Sequence, residues 1–247
     1  MSRAKNKGGF SLIELLVVIA VIAILIAILL PSLGAAKERV RTVVCRSNQK
    51  QIGTAINVYA ADYHGSIPRG SSGASLAATD GTIWYLVLLP YVGHSGNITD
   101  YRQVDIYECD SFPRSGGGIY DISNKNQKVC YVNNAWGFTG KTDYVGYELL
   151  KPTKVSSFTN PGVKVYLADN EAGSWRPIIE DSSSYGLDKC DAFKDSHLPS
   201  SSDESNSSDG RRIAQNRHQG GCNVLYVDLH SETVSADVLT LKNFRTK

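Results

Sequence analysis

A single carboxylate, that of Glu14, lies near the start of an otherwise uncharged apolar stretch that runs to Leu30. An ionisable side chain inside hydrocarbon costs at least about 2.5 kcal/mol unless it is paired, so a simple membrane anchor would gain nothing from it. Two glycines, Gly8 and Gly9, stand directly before Phe10, where the apolar stretch begins. Glycine enters the extended conformation of a protease cleft without steric cost. The sequence therefore predicts a cleavage after Gly9 and a charged partner for Glu14.

A second group of chemically capable residues lies near the end of the chain. Asp228 and His230 are two residues apart on a predicted strand, so they would share one face of it. With His218 and Asp169 they offer the imidazoles and carboxylates of a metal or acid-base site. Because no nucleophile accompanies them, a structural hydrogen bond from His218 to Asp228 is preferred. The alternative is a membrane-tethered periplasmic binding or metal-dependent enzyme domain that uses His218, Asp228 and His230.

The segment 196–212 is rich in Ser, Asp and Asn and has almost no apolar content, which predicts an exposed loop. Asp203, Glu204 and Asp209 within it carry oxygen donors of the kind that Ca²⁺ prefers. Their spacing matches no EF-hand, so a solvated loop is the preferred interpretation and a structural Ca²⁺ the alternative. No other cofactor is expected.

The elements that must position these residues begin with a membrane span. As a helix, residues 10–30 would cover roughly 30 Å, the thickness of a bilayer core. A secretory signal peptide is disfavoured, because the apolar run is too long and no A-x-A cleavage site follows it. The head, residues 1–9, contains three basic residues and no acid, which favours a cytoplasmic N-terminus. Basic residues also follow the span, so charge counting alone leaves the orientation open: Lys37, Arg39, Arg41, Arg46, Lys50.

Apolar residues recur at helical spacing beyond Pro31 as far as Tyr63, with polar and basic residues between them. Pro31 is expected to bend this helix without ending it. The pattern predicts one helix over residues 10–61, about 75 to 80 Å long. Its first half would lie in the membrane, and its second half would pack under a globular domain.

The length of 247 residues leaves room for one modest globular domain, residues 62–247, besides the span. A net charge of +2 without an aromatic-interleaved basic block excludes nucleic acid as a partner. A short buried helix stopped by Pro90 is predicted over residues 83–92. Alternation and β-branched content predict strands at 129–135, 143–148, 163–169, 223–230 and 232–235. The expected fold class is α+β, with the long helix packed against a small antiparallel sheet with long loops.

Five cysteines are present, Cys45, Cys109, Cys130, Cys190 and Cys222, and no CxxC pair indicates zinc or thioredoxin-like chemistry. In a domain outside the cytoplasm disulfides would be expected, and the odd count would leave one thiol free or paired between molecules. The sequence alone leaves the connectivity open. Small buried hydrophobic residues are the alternative interpretation.

Residues 7–14 read KGGFSLIE and lead into an aliphatic run that ends at Pro31. This segment resembles the N-terminus of type IV prepilins and of the pseudopilins of type II secretion systems. The resemblance implies that a prepilin peptidase cuts after Gly9, removes residues 1–9 as a leader and methylates the new amino terminus at Phe10. It also implies that Glu14 neutralises the N-terminal amine of a neighbouring subunit during assembly.

The stretch from Cys45 to Pro68 resembles the corresponding part of many prepilin-like proteins, except that Gln49 stands where leucine is usual. A helix face and a turn would account for every residue in it. Cys109 lies in a segment similar to the C-P-S element of such proteins. The resemblance at both cysteines implies a disulfide between Cys45 and Cys109.

His218 and Asp228 match an H-X9-DG element found near the end of many proteins associated with prepilin processing, with Leu229 in place of the glycine. That replacement argues against a tight turn after Asp228. The family implies a non-enzymatic subunit anchored once in the inner membrane, with a cytoplasmic N-terminus and a periplasmic domain, and later part of a pilus or pseudopilus. Its implied partners are the peptidase, other pilin or pseudopilin subunits, the inner-membrane assembly platform and the membrane.

Overall fold

The computed structural model describes residues 11–68, 84–94, 104–112, 127–135, 153–171, 178–179, 191–192, 195–201 and 210–245. Several predicted features lie outside these ranges: the leader 1–9 with Gly9, Phe10, the strand at 143–148, Cys190, and the calcium candidates Asp203, Glu204 and Asp209. They stay predictions.

A long helix opens the described chain. Helix α1 covers Leu12–Asp62 and contains Pro31 without ending there. Over the described residues the predicted helix is therefore confirmed, and it ends one residue beyond the predicted Ala61. Two short helices follow, α2 (Trp84–Val87) and α3 (Leu241–Phe244). Single turns of 3-10 helix lie at Leu89–Val92, Asp105–Tyr107, Val155–Ser157, Pro161–Val163, Asp195–His197 and Ala236–Val238.

The strands, numbered in chain order, are β1 (Ser66–Ile67), β2 (Gln127–Lys128), β3 (Tyr131–Asn134), β4 (Thr153–Lys154), β5 (Val165–Asp169), β6 (Ile178–Ile179), β7 (Asp191–Ala192), β8 (Gly221–Tyr226) and β9 (Ser231–Ser235). Within the described residues, five of them form one sheet in the order β7-β3-β5-β8-β9. Its pairs are antiparallel except β3 with β7. Strands β1 and β4 pair separately, as do β2 and β6. The α+β fold class with a small, mainly antiparallel sheet is confirmed.

The sheet separates two apolar clusters. Leu167 and Leu225 project toward α1, where they share a core with Ile52 and its neighbours. Val224, one residue away along β8, belongs to the second cluster, which also contains Phe244 of α3. Because both faces of the sheet are covered, β5 and β8 are buried along their whole length. Most of their side chains are accordingly apolar.

The chain divides into two compact units, Met1–Val40 and Arg41–Lys247. The boundary falls inside α1, so the second half of the helix belongs to the globular unit. Its buried residues all lie in this half: Cys45, Gln49, Ile52, Gly53, Ala55, Ile56 and Ala60. Their spacing of three and four residues is that of one helix face.

Three local predictions are wrong. Pro90 is the second residue of the 3-10 turn Leu89–Val92, where no free N–H is needed, and α2 ends earlier, at Val87. The predicted strand 223–230 is β8, which ends at Tyr226. The next residues form a tight turn in which Leu229 adopts a left-handed φ of 71°. The replacement of glycine by Leu229 thus did not prevent the turn.

The described ends of the segment 196–212 also differ from the predicted exposed loop. Leu198 is buried in the second apolar cluster. Arg211 is buried and its Nε lies 2.7 Å from Glu171 Oε2. An apolar anchor at one end and an ion pair at the other hold these residues inside.

Candidate functional site

The first turn of α1 is capped by the side chains of Ser11 and Glu14. The Ser11 backbone N–H donates to Glu14 Oε2 at 2.8 Å, and the Ile13 N–H donates to Ser11 Oγ at 3.3 Å. The Glu14 bond is the one that the N3 side chain makes in a capping box, and both bonds satisfy N–H groups that have no partner within a helix. Glu14 is exposed, so its carboxylate lies at the start of the helix and on its surface.

The remainder of this half of α1 is apolar and exposed. By length and composition the helix is long and apolar enough to cross a membrane. None of its most apolar 18 residues is buried inside the protein. Exposed aliphatic side chains follow one another from Leu12 to Leu30. A surface of this size needs lipid or other protein to cover it.

A second candidate site lies inside the globular unit, where Cys45, Cys109, Asp169 and His218 meet; we call these four residues the buried cluster. All four side chains are buried. The Cys45 and Cys109 sulfurs and a His218 ring nitrogen lie within 4.8 Å of one another. His218 Nε2 is 3.4 Å from Cys109 Sγ and 3.3 Å from Asp169 Oδ2.

The period of two along each strand explains how the sheet supplies Asp169. Asp169 shares a face of β5 with Leu167, the face that packs against α1. Asn223 is likewise on the same face of β8 as Leu225. The Asn223 backbone N–H donates to Asp169 Oδ2 at 2.6 Å, and Gln49 Nε2 lies 3.4 Å from Asp169 Oδ1. The carboxylate is therefore held from both sides.

A tight turn places His218 beside β8. His218 and Gly221 exchange backbone hydrogen bonds of 2.8 and 3.0 Å, and the two residues between them, Gln219 and Gly220, both have positive φ. Two positive φ angles are characteristic of a type I′ turn, which matches the twist of paired strands. At the other side of the ring, His218 Nδ1 is 3.3 Å from Thr42 Oγ1 of α1.

The charges in the buried cluster shift the pKa values of its members. The hydrogen bond to Cys45, helped by His218 and Arg217 and opposed by burial, lowers the pKa of the Cys109 thiol. The same bond raises the pKa of Cys45. Burial and the charge of Cys109 raise the pKa of Asp169 to about 7. Burial lowers the pKa of His218, but the Cys109 hydrogen bond and the Asp169 charge outweigh it and raise the value.

A buried cation, Arg217, accompanies the cluster. Its guanidinium carbon lies 4.5 Å from the centre of the Phe112 ring, and its charge acts on Cys109 and Asp169. Among the residues that the structure describes, none accepts a hydrogen bond from its three guanidinium nitrogens. Burying a cation is costly unless anions lie nearby, so Arg217 requires negative charge in the cluster.

The arrangement does not resemble a catalytic thiol site. In a nucleophile-histidine-acid triad the nucleophile and the acid contact opposite ring nitrogens. Here Cys109 and Asp169 both approach Nε2, and Nδ1 faces Thr42. His218 is also fully buried, which leaves no room for a substrate beside it.

The predicted hydrogen bond between His218 and Asp228 is wrong. Asp228 Oδ1 instead accepts hydrogen bonds from His230, at 2.5 Å from Nδ1 and 3.1 Å from the backbone N–H. Both side chains are substantially exposed. The chain turns after Tyr226 and carries Asp228 away, whereas Asp169 lies on β5 beside His218. The three residues of the alternative enzymatic interpretation, His218, Asp228 and His230, are thus not one site.

Cys45 and Cys109 are neighbours, as a disulfide between them would require, and the structure records them as free buried thiols. The pairing stays a prediction.

Three residues at these sites are not predicted from the sequence: Ser11, Gln49 and Arg217. Ser11 and Glu14 fit the S-x-x-E spacing of a capping box, a signal that was present. Gln49 was interpreted as part of a helix face, yet its Nε2 donates to the Asn223 carbonyl at 3.1 Å and its Oε1 accepts from Ser231 Oγ at 2.9 Å. Nothing in the sequence distinguished Arg217 from a surface cation.

Comparisons with known proteins match two parts of the chain. Residues 4–30 match a family model described as a prokaryotic N-terminal methylation motif, and residues 34–107 match one described as a protein of unknown function (DUF1559). Over 40 residues the chain is 58% identical to the Type IV wide pilus major component PilA4 of Thermus thermophilus. That match covers 16% of this chain and 30% of the relative, so most of the relative's length is unmatched. No solved structure matches the chain significantly.

The methylation-motif match contains Glu14 and the exposed apolar half of α1, and the second match begins at Gly34 of the same helix. The pilin relative and the α+β arrangement of a long N-terminal helix and a mainly antiparallel sheet agree with that motif. The chain therefore contains a prokaryotic N-terminal methylation motif and is similar, over part of its length, to a type IV pilin.

Proposed function

We propose that this chain is a non-enzymatic structural subunit of a type IV pilus or of a type II secretion pseudopilus. It is made as a prepilin, cut after Gly9 by a prepilin peptidase and methylated at Phe10. It then assembles through its N-terminal helix with other pilin or pseudopilin subunits at an inner-membrane platform. The observation that carries the proposal is the methylation motif over residues 4–30, joined to a helix whose most apolar 18 residues are all unburied within the protein.

Before assembly the first half of α1 crosses the inner membrane once, with the N-terminus in the cytoplasm and the globular domain in the periplasm. The basic head of residues 1–9 agrees with this orientation. After assembly the same apolar surface is covered by neighbouring helices in the filament core.

Glu14 recruits and aligns the incoming subunit by pairing with the Phe10 amine of a neighbouring copy. The bond from Ser11 uses one carboxylate oxygen, and a carboxylate offers about four acceptor sites, so capping leaves room for this second partner. In a medium of low dielectric constant a correctly aligned pair is strongly preferred over one unpaired charge.

Two variants separate the capping role of Glu14 from its charge. Glu14→Gln retains a cap acceptor but removes the charge, so membrane insertion should persist while filament formation is lost. Ser11→Ala removes the side-chain cap and retains the carboxylate, so filaments should form. Sheared-filament yield and membrane fractionation measure the two outcomes. Normal filaments from Glu14→Gln would overturn the pairing role.

Processing is tested independently at Gly9. Gly9→Val places a branched side chain at the residue before the cut, and the leader should then be retained. Mass spectrometry of the N-terminal peptide should find N-methylated Phe10 in the wild type and the uncut leader in the variant. A wild-type chain that begins at Met1 in assembled filaments would refute the proposed processing.

A further inference from the structure

The four residues of the buried cluster come from four separate elements and converge on one point. Cys45 is on α1, Cys109 follows the 3-10 turn Asp105–Tyr107, Asp169 ends β5, and His218 precedes β8. Thiolate, imidazole and carboxylate are the ligands that Zn²⁺ takes in proteins. From this convergence we propose that Cys45, Cys109 and His218 bind one structural Zn²⁺ ion inside the globular unit, with Asp169 as the carboxylate beside the histidine.

The distance between Cys109 Sγ and His218 Nε2 agrees with one edge of a zinc tetrahedron, and Cys45 Sγ lies within 4.8 Å of the other two ligand atoms. With Zn–S about 2.3 Å and Zn–N about 2.0 Å, a tetrahedral ion separates sulfur from nitrogen by roughly 3.5 Å. Nε2 of His218 is 3.4 Å from Cys109 Sγ and 3.3 Å from Asp169 Oδ2. One ring nitrogen has only one hydrogen or one lone pair, and 3.3 Å is longer than an ordinary N–H···O bond.

Contacts beyond the ligands hold them in the orientation that a metal requires. The Thr42 hydroxyl lies beside Nδ1, so Nδ1 can carry the proton while Nε2 faces the ion. The Asn223 N–H fixes Asp169 Oδ2. Such supporting hydrogen bonds accompany most metal-binding histidines and carboxylates.

Charge balance explains how the Arg217 guanidinium can be buried. Two thiolates and one carboxylate supply three negative charges, which Zn²⁺ and the Arg217 guanidinium together neutralise. The two thiols release their protons to solvent as the ion binds.

The full chain, extracted from membranes in mild detergent without chelator, provides the direct test. Plasma mass spectrometry after dialysis should find about one zinc per chain. Cys45→Ala, Cys109→Ala and His218→Ala should each retain less zinc by more than roughly tenfold, since even supporting residues alter metal affinity by 10–100-fold. Cys222→Ala is the matched control, because Cys222 is equally buried but belongs to the cluster on the other sheet face. It should retain its zinc.

Cobalt spectroscopy needs no variant and so avoids any folding defect. Wild-type protein exchanged with Co²⁺ should show the intense visible bands of a tetrahedral site and a thiolate-to-cobalt charge-transfer band. Weak octahedral bands without charge transfer would overturn the proposal. Zinc-free wild-type protein whose non-reduced peptides contain a Cys45–Cys109 disulfide would overturn it as well, and would establish the covalent pairing instead.

Discussion

At the scale of single residues, Leu229 adopts a left-handed backbone conformation in the turn after β8. A non-glycine residue at a φ of 71° crowds its Cβ against the backbone. Leu229 is retained in this conformation because its side chain packs over the second half of α1, where a Cβ added to Gly53 would lie 3.6 Å from Leu229 Cβ. Its apolar contact therefore opposes its backbone strain.

Replacing Leu229 separates strain from packing. Leu229→Gly loses the packing and relieves the strain, whereas Leu229→Ala loses most of the packing and keeps the strain. We expect the glycine variant to be more stable than the alanine variant by roughly 0.5–1 kcal/mol. Thermal and urea unfolding measure the difference. At Val58, exposed within α1, the order should reverse, because glycine is less favourable than alanine in a helix by about 1 kcal/mol.

Thr42 positions the imidazole of the proposed zinc site without touching the metal. Thr42→Val removes the hydroxyl beside His218 Nδ1 and should weaken zinc binding by about 10–100-fold, as measured by competition with a coloured chelator. Thr54→Val is the control on the same helix, since the Thr54 hydroxyl bonds only its own helix at the Lys50 carbonyl. Equal zinc affinity in both variants would contradict this role for Thr42.

At the scale of elements, Gln49 joins α1 to two strands. It bonds the Asn223 carbonyl of β8 and the Ser231 hydroxyl of β9. Gln49→Leu would leave both groups buried without this partner, and each buried unsatisfied group costs about 1–3 kcal/mol. We therefore expect a loss of at least about 1 kcal/mol of unfolding free energy in urea titrations. Gln51→Leu, exposed two residues away, should change stability by less than about 0.5 kcal/mol.

The sequence predicted elements better than it predicted contacts. Helical spacing on α1 extends over many residues, and β-branched runs identify β3, β5, β8 and β9, so these signals are strong. The pairing of His218 was mistaken because sequence spacing suggested Asp228, whereas the sheet order brings β5 beside β8. Period-two alternation does place Asp169 and Asn223 on the faces of Leu167 and Leu225. What it lacks is the order of the strands, which long-range packing decides.

At the scale of the whole molecule, the two units have different requirements. The unit Met1–Val40 exposes aliphatic side chains that need lipid or neighbouring helices. The unit Arg41–Lys247 contains both apolar clusters and all four residues of the buried cluster. The proposed membrane insertion and filament assembly therefore depend on the first unit, and stability and the proposed zinc binding depend on the second.

A fragment that begins at Arg41 tests this division of roles. Because its core and its proposed zinc ligands are complete, it should unfold in one cooperative thermal transition, stay monomeric by light scattering and contain about one zinc per chain. Thr42 and Cys45 lie in the first turns of the truncated helix, where helices fray. Chelator should therefore lower the melting temperature of the fragment more than that of the full chain in detergent. A fragment without a cooperative transition would show that the globular unit depends on the residues before Arg41.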